Sequence, residues 1–176
     1  IPWGWLLLAG FVLLCGGLLF FSCLPLHGGY SRLMDAIDRS DFSEVARVLQ
    51  SGVDPNLTPS DFWSQISEND GLPLQAACEK GDAAMVRLLL DNGADPNLSD
   101  GWESPLQAAA FYEHLDVMEL LIQRGAKVND EPGRSSALWS AALDGNVKSV
   151  KFLLAHGADP NSSVGTEAEG RTSLLQ

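Results

Sequence analysis

The chain has 176 residues, of which 45% are hydrophobic and 19% are charged, and its formal net charge is −12 at pH 7. Such an acidic chain disfavours nucleic acid and anionic lipid headgroups as partners, because both would be repelled, and it favours a partner with Lys and Arg on its contacting surface. The alternative is that the acidity only keeps the chain soluble.

The N-terminal part contains a long uncharged stretch, since no charged side chain occurs over residues 3–26. As a helix this stretch would reach about 36 Å at about 1.5 Å per residue, enough to cross a hydrocarbon core of about 30 Å. We therefore predict a transmembrane helix over residues 1–27, with Trp3 and Trp5 at one interface. A cleaved lipoprotein signal ending at Ser22-Cys23 is the alternative, although Phe20 matches such a site poorly.

Small residues recur along one face of this predicted span. They are Ala9, Gly16 and Cys23, at intervals of seven, with Gly10 and Gly17 beside them. Because small side chains let membrane helices approach closely, we predict that this face packs against another transmembrane helix. The general abundance of glycine in membrane helices is the alternative explanation. Residues 28–30 form a short linker, which holds whatever follows close to the membrane surface.

After the linker, one six-residue phrase recurs: SGVDPN at 51–56, NGADPN at 92–97, RGAKVN at 124–129 and HGADPN at 156–161. Its last two intervals are 32 residues each, and fixed self-similarity of this length predicts a stack of helical repeats. The interval from Gly52 to Gly93 is 41 residues, so residues 57–71 contain an insertion. Phe62 and Trp63 lie in this insertion.

The pattern also extends upstream of each phrase, most clearly in LPLQAACEKGDAAMVRLLLDNGA at 72–94 and SPLQAAAFYEHLDVMELLIQRGA at 104–126. These residues resemble the ankyrin repeat. The resemblance covers residues 31–176 as four repeats plus the start of a fifth at Thr172. It implies an all-α ankyrin-repeat solenoid of helix-turn-helix repeats with projecting turns, preceded here by the single transmembrane helix.

Helix boundaries follow from residue chemistry. Ser104 before Pro105 is a helix start, because Ser caps a free backbone N–H and Pro suits the first helical position. Glycines at 93, 125 and 157 are predicted to end the second helix of each repeat as left-handed caps. Glu113 stands where Gly81 and Gly145 end the first helix in their repeats, so we expect the first helix of the third repeat to run on by a residue or two.

The resemblance implies a protein partner that contacts the projecting turns and the exposed side of the first helices. Aromatic residues gathered there would be anchors, although Trp139 and Phe111 could instead fill gaps between repeats. The positions that match are Glu79, Lys80, Trp102, Phe111, Tyr112, Trp139, Leu143 and Asp144.

No set of nucleophile, base and orienting group is present, nor any metal-ligand spacing, so we predict no enzyme, no cofactor and no small-molecule substrate. GTEAEGRT at 165–172 lacks the Lys of a phosphate-binding loop. The glycosylation-type sequons at Asn56, Asn97 and Asn161 share one repeat phase, which indicates structural asparagines. A catalytic domain following Gln176 in a longer protein stays an open alternative.

The sequence thus predicts a membrane-anchored protein-binding module, an accessory or scaffolding subunit of a larger membrane complex with an integral membrane partner. The alternative is a tethered regulator or inhibitor that captures a soluble protein. Basic residues are sparse after the span, at Arg32, Arg39 and Arg47, which favours placing the repeats outside the cytoplasm. We expect a single-pass protein of a bacterial inner membrane with periplasmic repeats.

Overall fold

The computed structural model describes residues 29–57, 71–99, 103–129 and 136–161, and within these ranges the regular structure is helical. The predicted span over residues 1–27, its small-residue face, Phe62, Trp63, Trp102 and the start of a fifth repeat lie outside the described residues. Among the helices of the described part, none is both long and apolar enough to cross a bilayer. The helices are α1 over 29–38, α2 Phe42–Gln50, α3 Pro73–Glu79, α4 Ala83–Asp91, α5 Pro105–Phe111, α6 Leu115–Gln123, α7 Ala137–Leu143 and α8 Val147–Ala155.

Helix α5 begins at Ser104 and Pro105 as its sequence predicts, and α7 also begins at a serine. Before α5, the Ser104 hydroxyl accepts a hydrogen bond from the Gln107 N–H at 3.3 Å, and the Ser104 N–H donates to Gln107 Oε1 at 2.6 Å. Pro105 then occupies the first helical turn. Ser136 caps α7 by accepting from the Trp139 N–H at 3.1 Å. These side-chain acceptors satisfy backbone donors that have no partner inside the helix.

Two second helices start on aspartate. Asp41 accepts from the Glu44 N–H at 3.0 Å, and Asp82 accepts from the Met85 N–H at 3.1 Å. The Ser43 hydroxyl and the Glu44 N–H hold the pKa of the Asp41 carboxyl below its usual value, because both donate to its charged form. Acid that protonates Asp41 therefore weakens the start of α2.

Each helix pair is joined by a turn with a left-handed residue two positions after the first helix. This residue is Ser40, Gly81, Glu113 or Gly145, with φ between 52° and 76°. The expectation that α5 would run on past its neighbours is wrong, since α5 ends at Phe111. Glu113 takes the glycine conformation itself, and the turn closes when the His114 N–H donates to the Ala109 carbonyl at 2.9 Å. The same bond forms from Asp82 to Ala77 and from Asn146 to Ala141.

The second helices end as predicted, because Gly93, Gly125 and Gly157 have φ values of 91°, 92° and 86°.

The core lies between two layers of helices. α5 packs against both α3 and α7, while α6 packs against both α4 and α8. Alanines allow the close approach of the first helices, and aliphatic residues fill the space beneath them. Fully buried examples are Ala77, Ala108, Ala109, Ala141, Val86, Leu89, Val117, Leu121 and Leu153.

Asparagine side chains bond each repeat to the next. In every case Nδ2 donates to a glycine carbonyl of the following repeat, and Oδ1 accepts from the N–H two residues after that glycine. Asn97, for example, donates to the Gly125 carbonyl at 3.1 Å and accepts from the Lys127 N–H at 2.8 Å. We call this series the asparagine ladder; its other bonds are Asn56 to Gly93 and Asp95, and Asn129 to Gly157 and Asp159. The structural role predicted for Asn56 and Asn97 is confirmed.

Candidate protein-binding surface

The turns between the two helices of each repeat lie along one edge of the stack, because consecutive turns are bonded to each other. Lys80 bonds the first turn, His114 the second and Asn146 the third. We call this the helix-turn edge and define it as residues 38–42, 79–83, 111–115 and 143–148. Most of the predicted binding residues that the structure describes fall on this edge.

In the first two repeats the helix-turn edge is mostly charged, apart from Phe42, which is 41% exposed, and its Lys80 is bonded within the stack. Lys80 Nζ donates to the Asp38 carbonyl at 2.8 Å and to the Ile37 carbonyl at 3.3 Å, and it lies 2.8 Å from Asp38 Oδ1. A lysine that caps the carbonyl end of α1 opposes the negative end of that helix. The Glu79 carbonyl lies 3.0 Å from His114 Nε2. Glu79 and Lys80 therefore have structural contacts within the stack, and their role in binding stays a prediction.

In the third and fourth repeats the same edge is apolar. Phe111 is 36% exposed, Tyr112 50% and Leu143 62%. The rings of Phe111 and Tyr112 meet edge to face with centroids 5.0 Å apart, and Tyr112 stacks on His114. Exposed apolar side chains held together in this way are typical of interaction surfaces.

Val147, which is 60% exposed, joins these residues and was missed by sequence reasoning. Its two neighbours both reach back to the third repeat. Asn146 Nδ2 donates to the Phe111 carbonyl, and Lys148 Nζ lies 2.5 Å from Glu113 Oε1. Val147 is therefore held beside the Phe111–Glu113 turn. The only signal in the sequence was an apolar residue at the first position of the second helix.

We call Phe111, Tyr112, Leu143 and Val147 the apolar patch. Of the remaining predicted residues, Asp144 is exposed next to Leu143, and Trp139 is half-buried in α7. Trp139 precedes Leu143 by four residues on the same helix, so both lie on one face. Trp139 therefore extends the patch along α7, and its partial burial also agrees with the gap-filling alternative.

Within the described residues, no group of three or more His, Cys, Asp or Glu side chains is placed to hold a metal ion. Cys78 is fully buried, and burial raises the pKa of its thiol far above the usual range. A thiol that stays protonated is a poor nucleophile, so Cys78 is a small core residue, as predicted.

Comparison with known proteins agrees with this geometry. A family model described as "Ankyrin repeats (3 copies)" matches residues 33–132 and again residues 74–164. The chain belongs to the ankyrin-repeat family. Ankyrin repeats imply a protein-binding module, and proteins built from them are typically not enzymes.

One curated relative is the human "Ankyrin repeat and MYND domain-containing protein 1". It is 37% identical to this ankyrin-repeat chain over 82 residues, which cover 44% of the chain and 8% of the human protein. The chain therefore spans less than a tenth of that relative's length.

Proposed function

We propose that this chain is a membrane-anchored ankyrin-repeat module that acts as an accessory or scaffolding subunit of a larger membrane protein complex. The observation that carries the binding role is the apolar patch. Its four side chains are 36–62% exposed and lie in two neighbouring repeats. Exposed apolar groups of this kind are stabilised when a protein partner covers them, and large rigid side chains are the usual anchors of such contacts.

The membrane part of the proposal rests on the uncharged stretch over residues 3–26. Because α1 already includes residues 29 and 30, the predicted linker over 28–30 is shorter than expected, and the repeats would lie within about 10 Å of the end of the span. A module tethered so closely is well placed to contact the extramembrane surface of a neighbouring integral protein. We place the repeats on the periplasmic side of a bacterial inner membrane.

The experiment is gentle detergent extraction of the native protein, followed by native mass measurement and identification of the subunits that travel with it. We expect the chain in the membrane fraction after an alkaline carbonate wash, in a stable complex with an integral membrane protein. A chain that the carbonate wash releases contradicts the anchor. A bare monomer contradicts the subunit role and favours capture of a soluble protein.

A matched pair of variants links that complex to the apolar patch. Val147 and Phe42 are both the first residue of a second helix, and they are 60% and 41% exposed. Asp is favourable at the start of a helix, so both Val147→Asp and Phe42→Asp are expected to fold. We expect Val147→Asp to lose the host protein and Phe42→Asp to keep it.

The side of the membrane on which the repeats lie is tested by a separate measurement. A membrane-impermeant lysine reagent applied to intact spheroplasts is expected to label exposed residues such as Lys148, whose side chain is 72% exposed. Labelling only after the membrane is broken would place the repeats in the cytoplasm.

A further inference from the structure

The chemistry of the helix-turn edge changes halfway along the stack. Two equivalent positions end the first helix of every repeat. They hold Glu79 and Lys80 in the second repeat, but Phe111 and Tyr112 in the third. Lys80 is paired with Asp38, and Phe42 is the exposed large apolar residue of this half among the described residues. The apolar half is the part that a partner would have to cover.

Acidic groups flank the apolar patch. Asp144 adjoins Leu143 and makes no ion pair among the described residues. Glu113 adjoins Tyr112, and within the part of the chain that the structure describes its carboxylate pairs with Lys148, whose side chain is 72% exposed. A partner that covers the patch therefore meets two carboxylates at its border.

The turn that carries Glu113 has the same left-handed backbone as the equivalent turn of the first repeat, since φ is 59° at Glu113 and 52° at Ser40. This conformation costs free energy for any residue with a side chain and costs glycine little. Glu113 is therefore assigned to the binding surface only by the position of its carboxylate beside the apolar patch.

We propose that the apolar patch, together with Glu113 and Asp144, binds an amphipathic segment of a partner protein that places Lys or Arg beside its apolar side chains. The inference rests on the proposed protein-binding role and not on the membrane anchor. It agrees with the formal net charge of −12, which attracts basic partners over longer distances.

The probe is a phage-displayed library of random peptides of about 16 residues, a length that spans such a patch as a helix. The library is selected on the full chain, and selected peptides are synthesised with a fluorescent label. We expect the enriched sequences to combine large apolar residues with Lys or Arg. Enrichment of acidic or wholly apolar peptides, or of none, overturns the inference.

Binding to variants then separates a specific contact from general attraction between opposite charges. Val147→Asp makes the chain more acidic, so a basic peptide held only by charge would bind it as well as before or better. Loss of the apolar contact instead lowers the affinity by about tenfold or more, as for an interface anchor. We expect this tenfold loss for Val147→Asp and a change below about threefold for the matched Phe42→Asp.

The carboxylates are tested by Glu113→Gln and Asp144→Asn. Each removes one charge with little change in shape. We expect each to weaken peptide binding by about threefold and to reduce its dependence on salt. Circular dichroism and the urea midpoint of every variant report whether it folds.

The outcomes distinguish this inference from the proposed function. A selected peptide that binds Val147→Asp and the unchanged chain equally overturns the apolar patch as the site, while a complex found by detergent extraction would still support the subunit role. Conversely, the selected peptides can bind the apolar patch as expected even when detergent extraction yields a bare monomer. In that case the membrane subunit role fails and the basic amphipathic partner is a soluble protein.

Discussion

At Glu113 the requirements of the fold and those of the surface differ. The turn after α5 needs a left-handed residue, for which glycine is best, and the neighbouring repeats have Gly81 and Gly145 there. Gly81 has a further reason to be glycine, because a Cβ at this position would lie 2.5 Å from the His114 ring. At Glu113 the chain instead keeps a carboxylate that reaches Lys148.

The strain at Glu113 is measurable by comparing two substitutions. Glu113→Ala and Glu113→Gly both lose the ion pair with Lys148, but only glycine adopts the left-handed conformation without a steric cost. We expect the glycine variant to have the larger free energy of unfolding, by about 1 kcal/mol, in urea titrations followed by circular dichroism. An alanine variant that is equally stable would show that the backbone at position 113 carries no strain.

Among the elements, the asparagine ladder makes the most regular contact between repeats. Asn97→Ala removes one bond to the Gly125 carbonyl and one to the Lys127 N–H. We expect a loss of about 1–3 kcal/mol in the free energy of unfolding, because two bonds are lost and each contributes about 0.5–1.5 kcal/mol.

An ordinary surface substitution changes the free energy of unfolding by less than about 0.5 kcal/mol. A loss as small as this for Asn97→Ala would contradict the contribution of the ladder.

The helices themselves were predictable from the sequence, because their signals are local. Ser104 and Pro105 start α5, and Gly125 ends α6, through contacts within a few residues. The contacts that assemble the helix-turn edge are not local. Lys80 reaches the Asp38 carbonyl across 42 residues and Asn146 reaches the Phe111 carbonyl across 35. Such pairings depend on how repeats stack, which no short stretch of sequence encodes.

The exposure of a side chain was harder to predict than the position of its helix, because exposure also depends on how the repeats stack. Leu153 and Leu154 are consecutive apolar residues of α8, yet Leu154 is 39% exposed whereas Leu153 is fully buried. The predicted length of α5, which was based on Glu113, was wrong for a related reason. The sequence indicated an unusual turn there, but the packing of α5 between α3 and α7 imposes the same helix length as in the neighbours.

For the whole molecule, acidic residues outnumber basic ones by 23 to 11. The ion pairs within the described part lie at the surface, where each contributes little. They already involve more than half of the basic residues. Because acidic residues are in excess, the carboxylates repel one another across the surface. These basic residues are Arg32, Arg39, Arg47, Lys80, Arg124 and Lys148.

Salt is therefore expected to stabilise the fold. Raising sodium chloride from about 0.01 M to about 1 M shortens the screening length from about 30 Å to about 3 Å and weakens the repulsion between separated carboxylates. If the relief is about 1 kcal/mol, the thermal midpoint rises by about 2–4 °C. A midpoint that falls with salt, measured by calorimetry, would mean that the surface ion pairs outweigh the repulsion.

The asparagine ladder also makes the chain tolerant of foreign sequence between its first two repeats. The Asn56 bond to the Gly93 carbonyl spans 37 residues and the later bonds span 28, yet the distances are 2.9, 3.1 and 3.0 Å. The register of the stack is thus independent of the length of the connection. Because lengthening a loop adds closure cost only slowly, a peptide epitope or a small reporter domain can be grafted there while the repeats keep their alignment.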